Sequence, residues 1–228
     1  MTNPQIENLE KVATILAGVR ERFVFTGGGT IVLYVDEIIR DELRPTKDVD
    51  CVVEIFSRTE YYQLATALRA VGLSECTEPD APMCRWEYEE LLIDIMPCGE
   101  EVLGFSNRWY EEGFKNLITY ILPSEREIYV FSPLYLLASK IEAFLGRGES
   151  FYFSKDIEDI IVLLDGSPPL AEEFEAAEGE VKIFLRQWFK ENQDNLEDAV
   201  ANFLPSSSIG REERAIELIQ SFATIDDN

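Results

Sequence analysis

The sequence predicts an α+β fold: a small mixed β-sheet flanked by helices, with a helical C-terminal part. Two observations carry this. Short β-like runs and helical periods mix as far as Phe131, and after Pro133 the apolar residues recur only at helical spacing. Strands gathered in front and helices behind fit α+β better than alternating βα units. The chain has 228 residues, 46% hydrophobic and 11% aromatic, enough to bury a sizeable core. We expect an α+β domain over 1–132 and a helical region over 133–228.

The elements follow in order. Asn3-Pro4 is a helix start, and Ile6, Leu9, Val12, Ile15, Leu16 and Val19 keep a helical period over 5–20. Phe23 to Phe25 is a short β-like run entering Gly27-Gly28-Gly29. Thr30 to about Arg40 reads as a helix that opens on β-branched residues, and Pro45 breaks the chain. Asp48 to Ile55 reads as a strand with Val49, Cys51, Val53 and Ile55 on one side. Ser57 to Val71 is an amphipathic helix stopped by Gly72. "MCRWEYEELLIDIMP" reads as a hairpin, Met83–Tyr88 and Leu91–Met96, turning near Glu89-Glu90. Glu127 to Phe131 is a further strand. Pro133 to Gly146 carries a broad apolar stripe, and Lys155 to Leu164 is another helix. "DGSPPL" at 165–170 has linker composition. The rest, to about Ala223, reads as two or three acidic amphipathic helices interrupted by "PSSSIG".

Composition excludes several chemistries. There is no histidine, so serine–histidine and cysteine–histidine catalysis and every histidine general base are ruled out. Cys51, Cys76, Cys84 and Cys98 form no CxxC pair, which argues against structural zinc and for reduced, packed thiols. No apolar run approaches a membrane span, and "MTNPQIENLEKV" has no basic stretch followed by an apolar core. We expect a cytoplasmic protein without membrane contact. Acidic residues outnumber basic ones 44 to 20, for a net charge of −24, a surface that repels nucleic acid at long range.

Three short segments carry chemistry. Gly27-Gly28-Gly29-Thr30 sits where a strand ends and a helix begins, which suits either a tight turn or an anion seat. It is no Walker loop, lacking Gly-Lys-Ser/Thr. It is a poor dinucleotide fingerprint, because Val32 stands at the third glycine position, which argues against a dinucleotide-binding oxidoreductase. Asp48 and Asp50, two apart in a strand, share a face. Two like charges that close either repel or hold a cation, and the plain alternative is a solvated strand face. Asp94 is a lone acid in "LLIDIMP", costly to bury unless paired, hydrogen-bonded or bound to metal. Lys140 borders the apolar stripe of its helix and either snorkels to solvent or reaches a buried anion. Lys155 and Asp159 read as an ordinary i,i+4 pair.

As an ordered set, "GGGT", "TKDVDCVV" and "LIDIM" resemble the nucleotidyltransferase superfamily of the polymerase-β type. With "LLASKIEAFLGRG" and "SKDIEDIIVLL" they resemble its AbiEii/AbiGii-type subgroup, many members of which are toxins of toxin–antitoxin pairs. The resemblance covers residues 23 to about 165. It implies a nucleotidyltransferase-like fold and transfer of a nucleoside monophosphate from an NTP to an acceptor hydroxyl. Gly28, Gly29 and Thr30 match the phosphate-holding turn, with threonine where serine is usual. Asp48 and Asp50 match the metal pair, for Mg2+ or Mn2+, and Asp94 the third acid of the metal and catalytic set. Lys140 and Asp156 match the lysine and following acid of the later helices, read as nucleotide-binding. The implied partners are a nucleoside triphosphate, an acceptor that is an RNA, a protein or a small molecule, and an antitoxin protein. The helical back half would form the other wall of the cleft. The different-class alternative is a non-catalytic nucleotide- or partner-binding protein that keeps the fold.

Overall fold

The structure, a computed structural model, describes residues 3–204 and 210–224. In chain order its elements are α1 (Pro4–Leu16), β1 (Phe23–Thr26), a 3-10 turn (Gly28–Leu33), α2 (Glu37–Arg40), β2 (Asp48–Val53), α3 (Arg58–Ala70), β3 (Ser74–Glu75), β4 (Arg85–Tyr88) and β5 (Leu91–Pro97). There follow α4 (Glu100–Leu103), α5 (Tyr110–Gly113), β6 (Leu117–Ile121), β7 (Glu127–Phe131), α6 (Pro133–Arg147), α7 (Lys155–Gly166), α8 (Pro169–Ala176), α9 (Gly179–Phe203) and α10 (Arg211–Ala223). They fall into two compact units. One is Met1–Leu33 with Leu43–Ser132, the other Tyr34–Glu42 with Pro133–Asn228.

The first unit is built on a seven-stranded mixed sheet in the order β3-β4-β5-β2-β1-β7-β6. β2 runs antiparallel to β1 and parallel to β5, and β1 runs parallel to β7. The central strands are buried on both faces: Val49, Cys51, Val52 and Val53 of β2 and Ile93 and Ile95 of β5 are nearly inaccessible. Fully buried side chains on consecutive residues are what a covered sheet asks of its strands. The α+β class and mixed sheet match the expectation. The hairpin does too, its turn taken by Glu89 at φ 54. β6 was not expected. It is an edge strand paired with β7 alone, and only short apolar alternation marks it.

Local sequence sets the ends of the helices. Asn3 accepts a hydrogen bond from the Gln5 N–H and Pro4 opens α1. Ser57 and Glu60 form a reciprocal capping box on α3, and Gly72, at φ 97, ends it. The expected continuous helix from Thr30 to Arg40 is instead the 3-10 turn followed by the short α2. The β-branched Thr30, Ile31 and Val32 favour α-helix poorly. The Asp36 N–H donates to the Gly166 carbonyl at 3.2 Å, a tertiary bond that replaces a helical one.

The second unit is all helical, with a core that includes Leu137, Ile141, Leu164, Phe174, Phe189 and Phe222. Phe174 and Phe222 stack at 3.8 Å between centroids. The expected linker at 165–170 is not one. Asp165 and Gly166 end α7, and Pro169 opens α8 with Leu170 fully buried. Gly166 serves close packing, since a Cβ there would meet Val35 and Ile39 at 2.8 and 2.9 Å. Of the expected break "PSSSIG", residues 205–209 lie outside the described residues, and Gly210, at φ 82, caps α10. Among the described residues no helix is long and apolar enough to cross a membrane.

Candidate active site

The register of four strands builds an acid row. Thr26 of β1 lies opposite Asp50 of β2, Asp50 beside Asp94 of β5, and Asp94 opposite Arg85 of β4. In-register neighbours point to the same face, and Asp48 joins them by the two-residue period of β2. The three aspartates of the sequence pattern therefore share one face of the sheet. Asp94 is buried, and Asp48 and Asp50 are half-buried.

The glycine turn lies against these acids. Gly27 has φ 74, and a Cβ there would fall 1.8 Å from Asp50 Oδ2. Gly27 is thus glycine for two reasons: a backbone that disfavours L side chains, and a carboxylate in the space its side chain would need. A Cβ on Gly29 would stand 3.3 Å from both the Asp48 carbonyl oxygen and Thr46 Oγ1. Gly28 opens the 3-10 turn. Thr30 is fully buried. Its N–H and hydroxyl both donate to the Gly27 carbonyl, at 3.3 and 2.9 Å, which closes the turn.

Arg85 grips the row. Its Nε donates to Asp94 Oδ1 and one terminal nitrogen to Asp94 Oδ2, each at 2.8 Å; the same nitrogen reaches Asp48 Oδ2 at 3.2 Å. This is a two-pronged arginine–carboxylate pair with a longer arm to a second strand. The Asp94 hydrogen bonds, then the Asp94 and Asp48 charges, raise the Arg85 guanidinium further above its ordinary value against the opposing effect of burial. The acids are felt behind the sheet as well. Burial first, then the charges of Asp50 and Asp94, push the Cys51 thiol well up, and burial with Asp94 pushes Cys84 to about 12.

Asp48 and Asp50 offer carboxylate oxygens beside a glycine-lined turn, a donor set suited to a hard divalent cation that also takes oxygens from substrate. Among the described residues, no three aspartate, glutamate or cysteine side chains form a ready-made metal cluster. Both Asp94 oxygens are turned onto Arg85. The fit to a cation therefore rests on the β2 pair.

The helical unit holds a second ionic cluster. Lys140 of α6 is buried and meets Asp159 Oδ2 at 2.6 Å and Asp156 Oδ1 at 3.4 Å, both on α7. Arg147 also pairs with Asp156. Ser154 caps α7 by accepting from the Asp156 N–H at 3.2 Å. Lys140 thus reaches buried anions rather than solvent. Asp159 pairs with Lys140, not with the expected Lys155, because its side chain is turned inward from α7.

Residues 12–213 match the model of the family described as nucleotidyl transferase AbiEii toxin, type IV toxin–antitoxin system. The chain belongs to the AbiEii nucleotidyltransferase family. Its fold is also that of a crystal structure of an antigenic nucleotidyltransferase-like protein from Paracoccidioides brasiliensis. The TM-score is 0.53 at 17% identity, over 90% of this chain and 96% of that one. Among curated proteins none matches the sequence. The resemblance drawn from the motifs is thereby borne out, and this AbiEii-family chain is a transferase.

Two residues beside the acid row escaped the sequence reading. Arg85 could have been found by counting: a hairpin turning at Glu89-Glu90 pairs Tyr88 with Leu91 and, three steps back, Arg85 with Asp94. Gly27 stood in the quoted triplet, but its role needed the β1–β2 register that sets Asp50 opposite Thr26.

Proposed function

We propose that this transferase moves a nucleoside monophosphate from a nucleoside triphosphate to an acceptor hydroxyl, with a divalent metal ion, Mg2+ or Mn2+, held by Asp48 and Asp50. The observation that carries this is the Asp50 carboxylate packed over the Gly27 turn in the same row as Asp94. The Gly28–Thr30 turn receives triphosphate oxygens through the Gly28 and Gly29 N–H groups, while Thr30, whose N–H and hydroxyl close onto the Gly27 carbonyl, holds its shape. When bound, the metal neutralises phosphate charge and the charge developing on the departing pyrophosphate. Asp94 orients the acceptor hydroxyl. A bond forms from its oxygen to the α-phosphorus, the α–β bridging bond breaks, pyrophosphate leaves, and the hydroxyl proton passes to a carboxylate of the row or to solvent. Positioning and charge neutralisation dominate such transfers. Lys140 and Asp156 stay in the nucleotide-binding set on the family resemblance; a buried lysine between two carboxylates is also a clamp between helices.

The acceptor is an RNA, a protein or a small molecule, and the net charge of −24 inclines against a long nucleic acid. As a member of a toxin–antitoxin family, the protein is proposed to act in the cytoplasm and to be checked by an antitoxin protein. The test is incubation of the purified protein and a cell extract with each α-labelled triphosphate and Mg2+. Label should move to one acceptor class and stop moving in the Asp48→Ala/Asp50→Ala double variant. Undiminished transfer by that variant refutes the assignment.

A further inference from the structure

We infer that Arg85 is a positioning residue of the transfer site: its guanidinium fixes Asp94 and contests Asp48 with an incoming divalent cation. The inference rests on the transfer reaction proposed above. Three observations carry it.

The first is the asymmetry of the contacts. Asp94 is held by two hydrogen bonds of 2.8 Å, while Asp48 is touched once, at 3.2 Å. The short pair sets both Asp94 oxygens in one plane with a rigid fork, so Asp94 cannot turn about its side-chain torsions without breaking both bonds. The long arm is the one that yields.

The second is burial. The Asp94 side chain is 10% exposed and that of Asp48 39%. A solvated cation therefore meets Asp48 first, at the weaker arm of the clamp. Taking Asp48 from Arg85 leaves the Asp94 pair intact, and its orientation survives the exchange.

The third is what the arm spans. An ion pair that merely stapled the β4–β5 hairpin would end at Asp94. Arg85 goes on to β2, to one of the two carboxylates that suit a cation. A guanidinium stays charged at any working pH, so it is a standing counter-ion for acids that would otherwise repel one another.

Two consequences follow. Removing the guanidinium deletes a competitor, so the β2 carboxylates take a cation more readily. It also frees Asp94, so turnover falls although substrate still binds. The experiment measures Mn2+ binding to the nucleotide-free protein by electron paramagnetic resonance, for wild type, Arg85→Met and Arg85→Lys, with melting temperatures recorded in chelator. Arg85→Met should bind Mn2+ about tenfold more tightly, the scale of one charge-assisted hydrogen bond. Arg85→Lys, which keeps the charge without the fork, should fall between and guards against a methionine variant that fails to fold. With labelled triphosphate and the acceptor found above, kcat should drop in both variants while KM for the triphosphate moves less than threefold. Equal or weaker Mn2+ binding in both folded variants overturns the inference and leaves the transfer reading standing. No Mn2+ binding by any of the three proteins, with or without triphosphate, overturns both.

Discussion

Arg85 and Lys140 are each a cation shared by two aspartates, yet their surroundings differ. Lys140, Asp156 and Asp159 are all buried, at 9%, 1% and 6% exposure, and join two packed helices. The Arg85 cluster is open on one side: Asp48 and Asp50 are half-buried and a glycine turn lies over them. A closed cluster must be neutral and paired within itself, because an uncompensated buried charge is strongly unfavourable. An open one can exchange a partner. The same residue types thus stand in a closed setting in one unit and an open one in the other, and only the open setting leaves room to exchange a partner.

The largest expected effect is on the open side. Asp50→Asn keeps the shape of the side chain and removes its charge. Label transfer should fall by about a hundred- to a thousandfold, the scale seen when a group that stabilises transition-state charge is lost. The melting temperature should stay within a few degrees. A large loss of stability instead would make Asp50 a structural acid and abolish the contrast.

On the closed side stability should suffer first. Lys140→Met takes the lysine charge from two buried carboxylates, and breaking such a pair costs about 3–5 kcal/mol. Urea titration followed by tryptophan fluorescence would measure it, with Trp188 reporting from the helical unit. A variant as stable as wild type, yet unable to bind triphosphate, would leave Lys140 its nucleotide-binding role and remove its role as a clamp.

Two glycines with positive φ sharpen the difference. Gly27→Ala meets both a disfavoured backbone and the Asp50 carboxylate. It should cost about 1–3 kcal/mol and reduce transfer more than stability. Gly148, at φ 63, has nothing within 4 Å of a Cβ. Gly148→Ala should cost only the backbone penalty, about 1 kcal/mol, and leave transfer untouched. If the two substitutions behave alike, the packing of Asp50 on the turn has no functional weight.

Much of the open cluster was legible because strands have a rigid period. Asp48 and Asp50, two apart in a strand, declare a shared face from sequence alone, and one acid inside an apolar run marks Asp94 as a residue in need of a partner. Strand pairing supplied what was missing: that β5 lies beside β2 and not elsewhere, and that Arg85 faces Asp94. The closed cluster was harder to read. Helical spacing placed Lys140 at the edge of a stripe but could not say that α7 turns Asp156 and Asp159 toward it, since that depends on how two helices pack. The misread stretches have the same origin. The stretch from Thr30 to about Arg40 and residues 165–170 look like a helix and a linker in isolation, and become a broken helix and a tight packing joint through the Asp36–Gly166 bond and the close approach of Gly166 to Val35 and Ile39.

Alkali separates the units again. All four cysteines lie between residues 51 and 98, in the sheet unit. Burial pushes Cys84 and Cys98 to about 12 from an ordinary value near 9. The folded protein keeps these protons where the unfolded chain releases them. Their contribution to stability is therefore whole below pH 9 and is lost progressively between about 9 and 12. Urea midpoints should fall from pH 8 to pH 10.5, and Cys84→Ala, less stable throughout, should show a shallower fall. At pH 8 the buried thiols of Cys51 and Cys84 should resist alkylation until the sheet unit unfolds. Rapid labelling of Cys51 in native protein would mean that the strand carrying Asp48 and Asp50 opens readily, and an acid row on so mobile a support could not hold the geometry that transfer needs.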